Sequence, residues 1–238
     1  MAFRFKQFAI EDSKCAMKVG TDSIILGAYA PISTGQRVLD IGCGSAILAL
    51  MLAQRVKGEA SITGVEIDQQ AANQARQNVQ SSPWSQAVEV VTGDINQLSL
   101  APTFDLIVTN PPYFSDSLKG PNDKRNQARH NDGLSREQLQ QRAISSLADN
   151  GQLWLILPSD EAKHWLQPIW GLELIHQLTI QTVTSKIAKR TVLGFVHNGA
   201  NKKSSNITTE YNNLTIYDQN QQYSSQFIAL TRKFYLNR

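Results

Sequence analysis

A chain of 238 residues, 41% hydrophobic and 18% charged with 14 Gly and 8 Pro, has the composition of an ordinary folded protein, which excludes disorder, collagen and coiled coil. Its longest uninterrupted apolar run, the 8 residues from Ala46 to Ala53, falls far short of the roughly 20 needed to cross a bilayer, and no apolar stretch follows Arg4 and Lys6 to make an export signal. The formal net charge of +3 conceals a division, because residues 37–110 carry 4 basic and 7 acidic side chains whereas 181–238 carry 8 and 2, and a basic flank suits a polyanionic partner.

From residue 37 onward, short β-branched runs alternate with helical patterns, which predicts βαβ units and a mostly parallel sheet. An apolar helix from Ile24 to Ala30 comes first, then a strand from Arg37 to Ile41, a turn at Gly42-Cys43-Gly44 and a buried helix through Leu52. A second strand runs from Ser61 to Ile67, and Asp68 caps the helix bearing Ala71, Ala72, Ala75 and Val79. Third and fourth strands are Val88 to Thr92 and Phe104 to Thr109, the latter running into Asn110-Pro111-Pro112-Tyr113 and a polar loop from Phe114 to Leu134. Ser135 with Gln138 forms a capping-box pattern for a helix that stops at Asn150-Gly151. A central strand from Leu153 to Leu157 follows, then a helix capped by Ser159 and strands at Leu172 to Val183 and Thr191 to His197. A short strand from Leu214 to Tyr217 and a terminal helix from Tyr223 to Tyr235 complete the chain. The expected architecture is α/β, with a mostly parallel seven-stranded sheet flanked by helices in a single domain over residues 1–238: a lead of 1–36, a core of 37–200 and an extension of 201–238.

Asp40-Ile41-Gly42-Cys43-Gly44 puts two glycines at a strand-to-helix turn, where the missing Cβ lets a ligand approach the backbone. Position 47 is Ile, so the third glycine of a dinucleotide fingerprint is absent and a dehydrogenase is disfavoured. Asp40 before the glycines, Glu66 at the end of the second strand and Asp94 after the third instead resemble the class I S-adenosylmethionine-dependent methyltransferases, whose Rossmann-like fold and cofactor are then implied. In that setting Glu66 would accept both ribose hydroxyls and Asp94 the adenine amine, with Asp40 near the methionyl end. The resemblance makes Gly42 and Gly44 cofactor-binding and implies that the lead, with Thr21 and Asp22, closes over the cofactor. Where the family usually has a third glycine this chain has Ala46, a departure that bears on cofactor affinity.

Asn110-Pro111-Pro112-Tyr113 is the most specific signal. Two prolines remove two donors and leave carbonyl oxygens at the carboxyl end of a parallel strand, the edge where open α/β sheets bind ligands. An amine conjugated to a base or carbonyl is a poor nucleophile; the Asn110 side-chain oxygen and the Pro111 carbonyl could each accept one of its N–H groups while Tyr113 stacks on the flat substrate. Asn110 would also border the cofactor, and the motif resembles enzymes that methylate adenine N6, guanine N2 or a protein glutamine.

Only 36 residues precede the first strand, too few for the helical domain of glutamine methyltransferases, and Tyr113 rather than Phe favours adenine. Phe5-Lys6-Gln7-Phe8, Ala16 to Asp22, Ser82-Pro83-Trp84 and Tyr223 to Leu236 resemble the bacterial tRNA1(Val) (adenine(37)-N6)-methyltransferase family over essentially the whole chain. That family implies transfer to the adenine beside the anticodon of a valine tRNA. The alternatives are another amino-methyltransferase of this motif class, acting on rRNA guanine N2, DNA adenine N6 or protein glutamine N5, or a non-catalytic RNA-binding protein on this fold. Lys124, Arg125, Arg129, Lys186, Lys189, Arg190, Lys202 and Lys203 are candidates for tracking RNA phosphates. Cys15 and Cys43 stand in no CxxC or Cys/His cluster and the histidines have no ligand spacing, so no metal is expected, the thiols should be reduced, and a cytoplasmic monomer is anticipated.

Overall fold

The structure is a computed structural model that describes residues 2–100, 103–111, 134–199 and 208–236. The lead opens as a small antiparallel ribbon, β1 (Phe3–Arg4) against β2 (Ala9–Ile10), and continues to α1 (Thr21–Tyr29). Then come β3 (Arg37–Ile41), α2 (Ile47–Arg55), β4 (Ser61–Glu66), α3 (Gln69–Gln80), β5 (Val88–Thr92) and β6 (Phe104–Thr109). After α4 (Arg136–Ser146) follow β7 (Leu147–Pro158), α5 (Ser159–Trp165), β8 (Leu172–Val183), β9 (Arg190–His197), β10 (Glu210–Tyr217) and α6 (Ser225–Thr231).

The main sheet runs β10-β8-β9-β7-β6-β3-β4-β5, with β9 antiparallel to both neighbours and every other pairing parallel. Period-two alternation divides its strands between two cores. Val38, Leu106 and Ile156 face a cluster shared with α1, α2, α3 and α6, whereas Leu39, Ile107 and Leu155 face one built with α4 and α5. Strand order reverses at β3, whose neighbours are β4 on one side and β6 on the other, so the turns after β3 and β6 meet at the carboxyl edge, where such sheets bind ligands. The Thr109 hydroxyl donates to the Ile41 carbonyl at 2.9 Å and stitches those two strand ends together.

Four expectations are corrected. Among the described residues the sheet has eight strands, not seven, because the C-terminal segment contributes all of Glu210–Tyr217, parallel to β8, with Glu210 reaching His176 at 3.3 Å. Asn150 and Gly151 do not end α4, which gives way to β7 at Leu147; they sit in a bulge, Asn150 at φ 63° and Gly151 so close that a Cβ would stand 2.8 Å from the Phe104 carbonyl. Ser159 is the first residue of α5 and not its cap; its hydroxyl pairs with that of Thr191 in β9 at 3.3 Å. The terminal helix is shorter than expected, Ser225–Thr231, with the Ser224 hydroxyl accepting from the Phe227 N–H at 3.1 Å. The Asp68 cap and the Ser135–Gln138 capping box are both present.

Candidate active site

The carboxyl edge collects the predicted residues from several separate parts of the chain. After β3, Gly42 (φ 70°) and Gly44 (φ 53°) both adopt the left-handed region, and a Cβ on either would meet no protein atom within 4 Å. The turn is therefore open on its outer side as well as glycine-dependent. Its inner side is fastened to β4: the backbone N–H groups of Gly42 and Cys43 donate to the Val65 carbonyl at 2.9 and 3.0 Å, and that of Gly44 donates to Glu66 Oε2 at 2.9 Å. Glu66 Oε1 accepts from the Asp68 N–H at 3.0 Å, so the carboxylate is held at both ends yet keeps lone pairs for further donors. Asp94 lies beyond β5 with Oδ1 accepting from the Asn96 N–H at 2.9 Å.

Asp40 is fully buried under this turn, and among the described residues neither carboxylate oxygen has a well-formed hydrogen bond. Burial raises its pKa to about 7, the Ala49 backbone N–H opposing and the Glu66 charge reinforcing the shift. The Cys15 thiol of the lead is pushed up to about 11, by burial first and by the Glu66 charge second.

At the end of β6, Asn110 Nδ2 donates to the Ser23 hydroxyl oxygen of α1 at 3.0 Å, while Asn110 Oδ1 is buried and has no hydrogen-bond partner among the described residues. Pro111 is buried beside it, and Pro112 and Tyr113 lie outside the described residues. Thr21 opens α1, and Asp22 in its first turn accepts from Arg190 Nε at 2.7 Å, which joins a residue expected to bind cofactor to one expected to bind RNA. Lys186 and Lys189 occupy the β8–β9 turn on this edge; Lys124, Arg125, Arg129, Lys202 and Lys203 lie outside the described residues. Among the described residues, no group of three or more His, Cys, Asp or Glu is arranged to hold a metal, and no helix is long and apolar enough to cross a membrane.

Residues 15–166 match the profile of the Methyltransferase small domain family. The tRNA1(Val) (adenine(37)-N6)-methyltransferase of Bacteroides fragilis is 41% identical over 98% of this chain and 97% of its own length, and that of Phocaeicola vulgatus 42% identical over 99% and 97%. The chain belongs to this methyltransferase family. A predicted O-methyltransferase from Agrobacterium tumefaciens superposes with a TM-score of 0.67 over 90% of this chain and 96% of that one, at 17% identity, a likeness of fold.

The methyl donor of this methyltransferase is S-adenosylmethionine, and the edge fits it. The cofactor brings an ammonium group, a ribose diol and an adenine; the edge offers the buried carboxylate of Asp40, the lone pairs of Glu66 and Asp94, and space outside Gly42 and Gly44. Sequence reasoning missed Ile67, an apolar side chain left 59% exposed directly after Glu66 and suited to lie against a purine. It also missed Ser23. The available signal was an apolar residue following the acid at a strand end, and a hydroxyl one residue beyond Asp22.

Proposed function

We propose that this methyltransferase transfers a methyl group to the exocyclic N6 amine of an adenine in tRNA, adenine 37 of tRNA1(Val) as the names of its relatives state for them. The observation that carries the chemistry is the orphaned Asn110 Oδ1: a buried acceptor without a protein donor costs about 1–3 kcal/mol unless a ligand satisfies it. An adenine amine offers two N–H groups to this acceptor and to the Pro111 carbonyl. Bound S-adenosylmethionine supplies an electrophilic methyl on a positively charged sulfur. Asn110 orients the N6 lone pair toward that methyl and stabilises the positive charge that grows on nitrogen as the carbon–nitrogen bond forms and the methyl–sulfur bond breaks, its electron pair leaving with the neutral thioether. The amine becomes strongly acidic on gaining the methyl, so its proton passes to water without a dedicated base. Tyr113 would stack on the extruded base.

Thr21, Asp22, Asp40, Gly42, Gly44, Glu66 and Asp94 hold the cofactor in this reading. Lys186 and Lys189 contact RNA phosphates together with Lys124, Arg125, Arg129, Lys202 and Lys203, while Arg190 also anchors α1 through Asp22. The pairing of β10 with β8 supports treating residues 1–238 as one catalytic unit, working where tRNA resides, in the cytoplasm. Incubation with labelled S-adenosylmethionine and unmodified tRNA, followed by nucleoside digestion, should yield N6-methyladenosine; label in guanosine or in protein would refute the assignment.

A further inference from the structure

Helix α3 carries two buried carboxamides, Gln74 (7% exposed) and Asn78 (4%), among the alanines and Val79 of its packed face. An amide in that position costs free energy unless it is fully hydrogen-bonded, and both are satisfied by the lead. Asn78 Oδ1 accepts from the Glu11 N–H at 2.9 Å, and its Nδ2 donates to the Glu11 carbonyl at 2.8 Å and to the Ser45 carbonyl at 3.0 Å. Gln74 Oε1 accepts from the Lys14 N–H at 2.8 Å, and its Nε2 donates to the Ser13 hydroxyl at 3.1 Å. The two residues are four apart, so they stand one above the other on the helix and grip successive residues of the same segment, Glu11 and then Ser13 and Lys14.

Ser45 belongs to the turn that follows Gly42 and Gly44. Asn78 therefore bridges, through a single side chain, the lead and the glycine turn. Beyond the clamp the lead is closed on itself, with Asp12 Oδ2 accepting from the Val19 N–H at 2.8 Å, and it then delivers Thr21, Asp22 and Ser23 to the edge where Ser23 meets Asn110. Among the described residues, 11–20 have no ladder partner in either sheet.

We infer that Asn78, assisted by Gln74, is a positioning residue that sets the lead against the glycine turn and so governs cofactor affinity without touching the cofactor. The inference rests on the reading of this edge as the S-adenosylmethionine site. Asn78→Asp keeps the size and the acceptor but turns the donor into an oxygen facing two carbonyls, so S-adenosylmethionine affinity should fall about tenfold while kcat at saturating cofactor stays within about twofold. Val79→Ala, an apolar change on the same helix, should leave the affinity unchanged. In the unaltered protein, adding S-adenosylmethionine should slow hydrogen exchange at the Glu11 and Lys14 amides, a readout that does not depend on any variant folding. Unchanged affinity in Asn78→Asp, an equal loss in Val79→Ala, or exchange at those amides indifferent to the cofactor would each overturn the inference. Glu66→Ala separates the two levels: if it binds S-adenosylmethionine as the wild type does, the site reading itself fails, whereas loss there with normal binding in Asn78→Asp removes only the clamp.

Discussion

Ser23 and Asn110 are 87 residues apart in sequence and 3.0 Å apart in space, hydroxyl oxygen to carboxamide nitrogen. Because the amide nitrogen is engaged by α1, the amide oxygen is the atom left for a substrate, and its orientation is set before any substrate arrives. The lead segment thus reaches the end of β6 through Ser23.

Asn110→Ala should lower kcat by about 100-fold or more while S-adenosylmethionine binds within about threefold of normal, as removal of a donor or acceptor aimed at developing charge does elsewhere. Ser23→Ala should cost less, about tenfold in kcat, because the amide stays but loses its anchor. Single-turnover rates and calorimetric cofactor binding check both; a Ser23→Ala enzyme that loses binding and rate in equal measure would make Ser23 a part of the cofactor site and not a support for Asn110.

Most of this edge was legible in the sequence because its chemistry is local. Gly42 and Gly44 punctuate a strand-to-helix turn, Glu66 ends a β-branched run, and Asn110 to Tyr113 is contiguous. Contacts between distant segments were not legible. Nothing local marks Ser23 as the partner of Asn110 or Asp22 as that of Arg190, and Gln74 and Asn78 read as ordinary polar positions of a helix until the lead is seen to cover them. β10 escaped in part for a different reason: as an edge strand with only Leu214 buried, it carries polar residues from Glu210 to Asn213 that give no apolar pattern.

Asp40 gives the free protein a pH dependence opposite to that of a typical acid. A carboxyl raised from 3.8 to about 7 binds its proton more tightly when folded than when unfolded, so its contribution is most favourable below the unfolded pKa and is lost as pH rises through about 7. Asp40→Asn, uncharged throughout, removes that dependence. Urea midpoints measured from about pH 5 to about pH 8 should fall for the wild type relative to the variant; parallel curves would mean that Asp40 is ionised in the folded protein.

The Asp22–Arg190 pair joins the start of α1 to the start of β9 with both side chains partly shielded from solvent. A double-mutant cycle of Asp22→Asn and Arg190→Gln should return a coupling of about 1 kcal/mol in stability, above the usual value for a fully exposed pair. Each single change should also weaken S-adenosylmethionine binding, since the pair fixes the start of α1, where Thr21 and Asp22 stand. A coupling indistinguishable from zero would leave the pair without a role in holding the lead.

Lys186 and Lys189, on the β8–β9 turn, should act on RNA alone. Replacing both with alanine is expected to raise the KM for tRNA, leave cofactor affinity unchanged, and reduce the slope of log affinity against log salt by about two. An unchanged slope removes this turn from the RNA-binding surface.

Ala46, at the place where the sequence pattern leads us to expect a third glycine, adopts φ 64° and ψ 24° at the head of α2. Left-handed backbone costs a residue with a Cβ about 1–2 kcal/mol, so replacement by glycine appeals as a stabilising change. The methyl group, however, is fully buried in the core shared with α1 and α2. Deleting it forfeits about 0.8 kcal/mol of burial, and glycine adds up to about 1 kcal/mol of unfolded-state entropy. These terms nearly cancel, and the turn already has the conformation that glycine would take. Ala46→Gly should therefore leave the melting temperature within about 2 °C and S-adenosylmethionine affinity within about twofold. Calorimetry decides the matter: a tenfold gain in affinity would show that the methyl obstructs the cofactor, whereas the expected equality makes alanine a tolerated occupant because its side chain points into the core and not into the site.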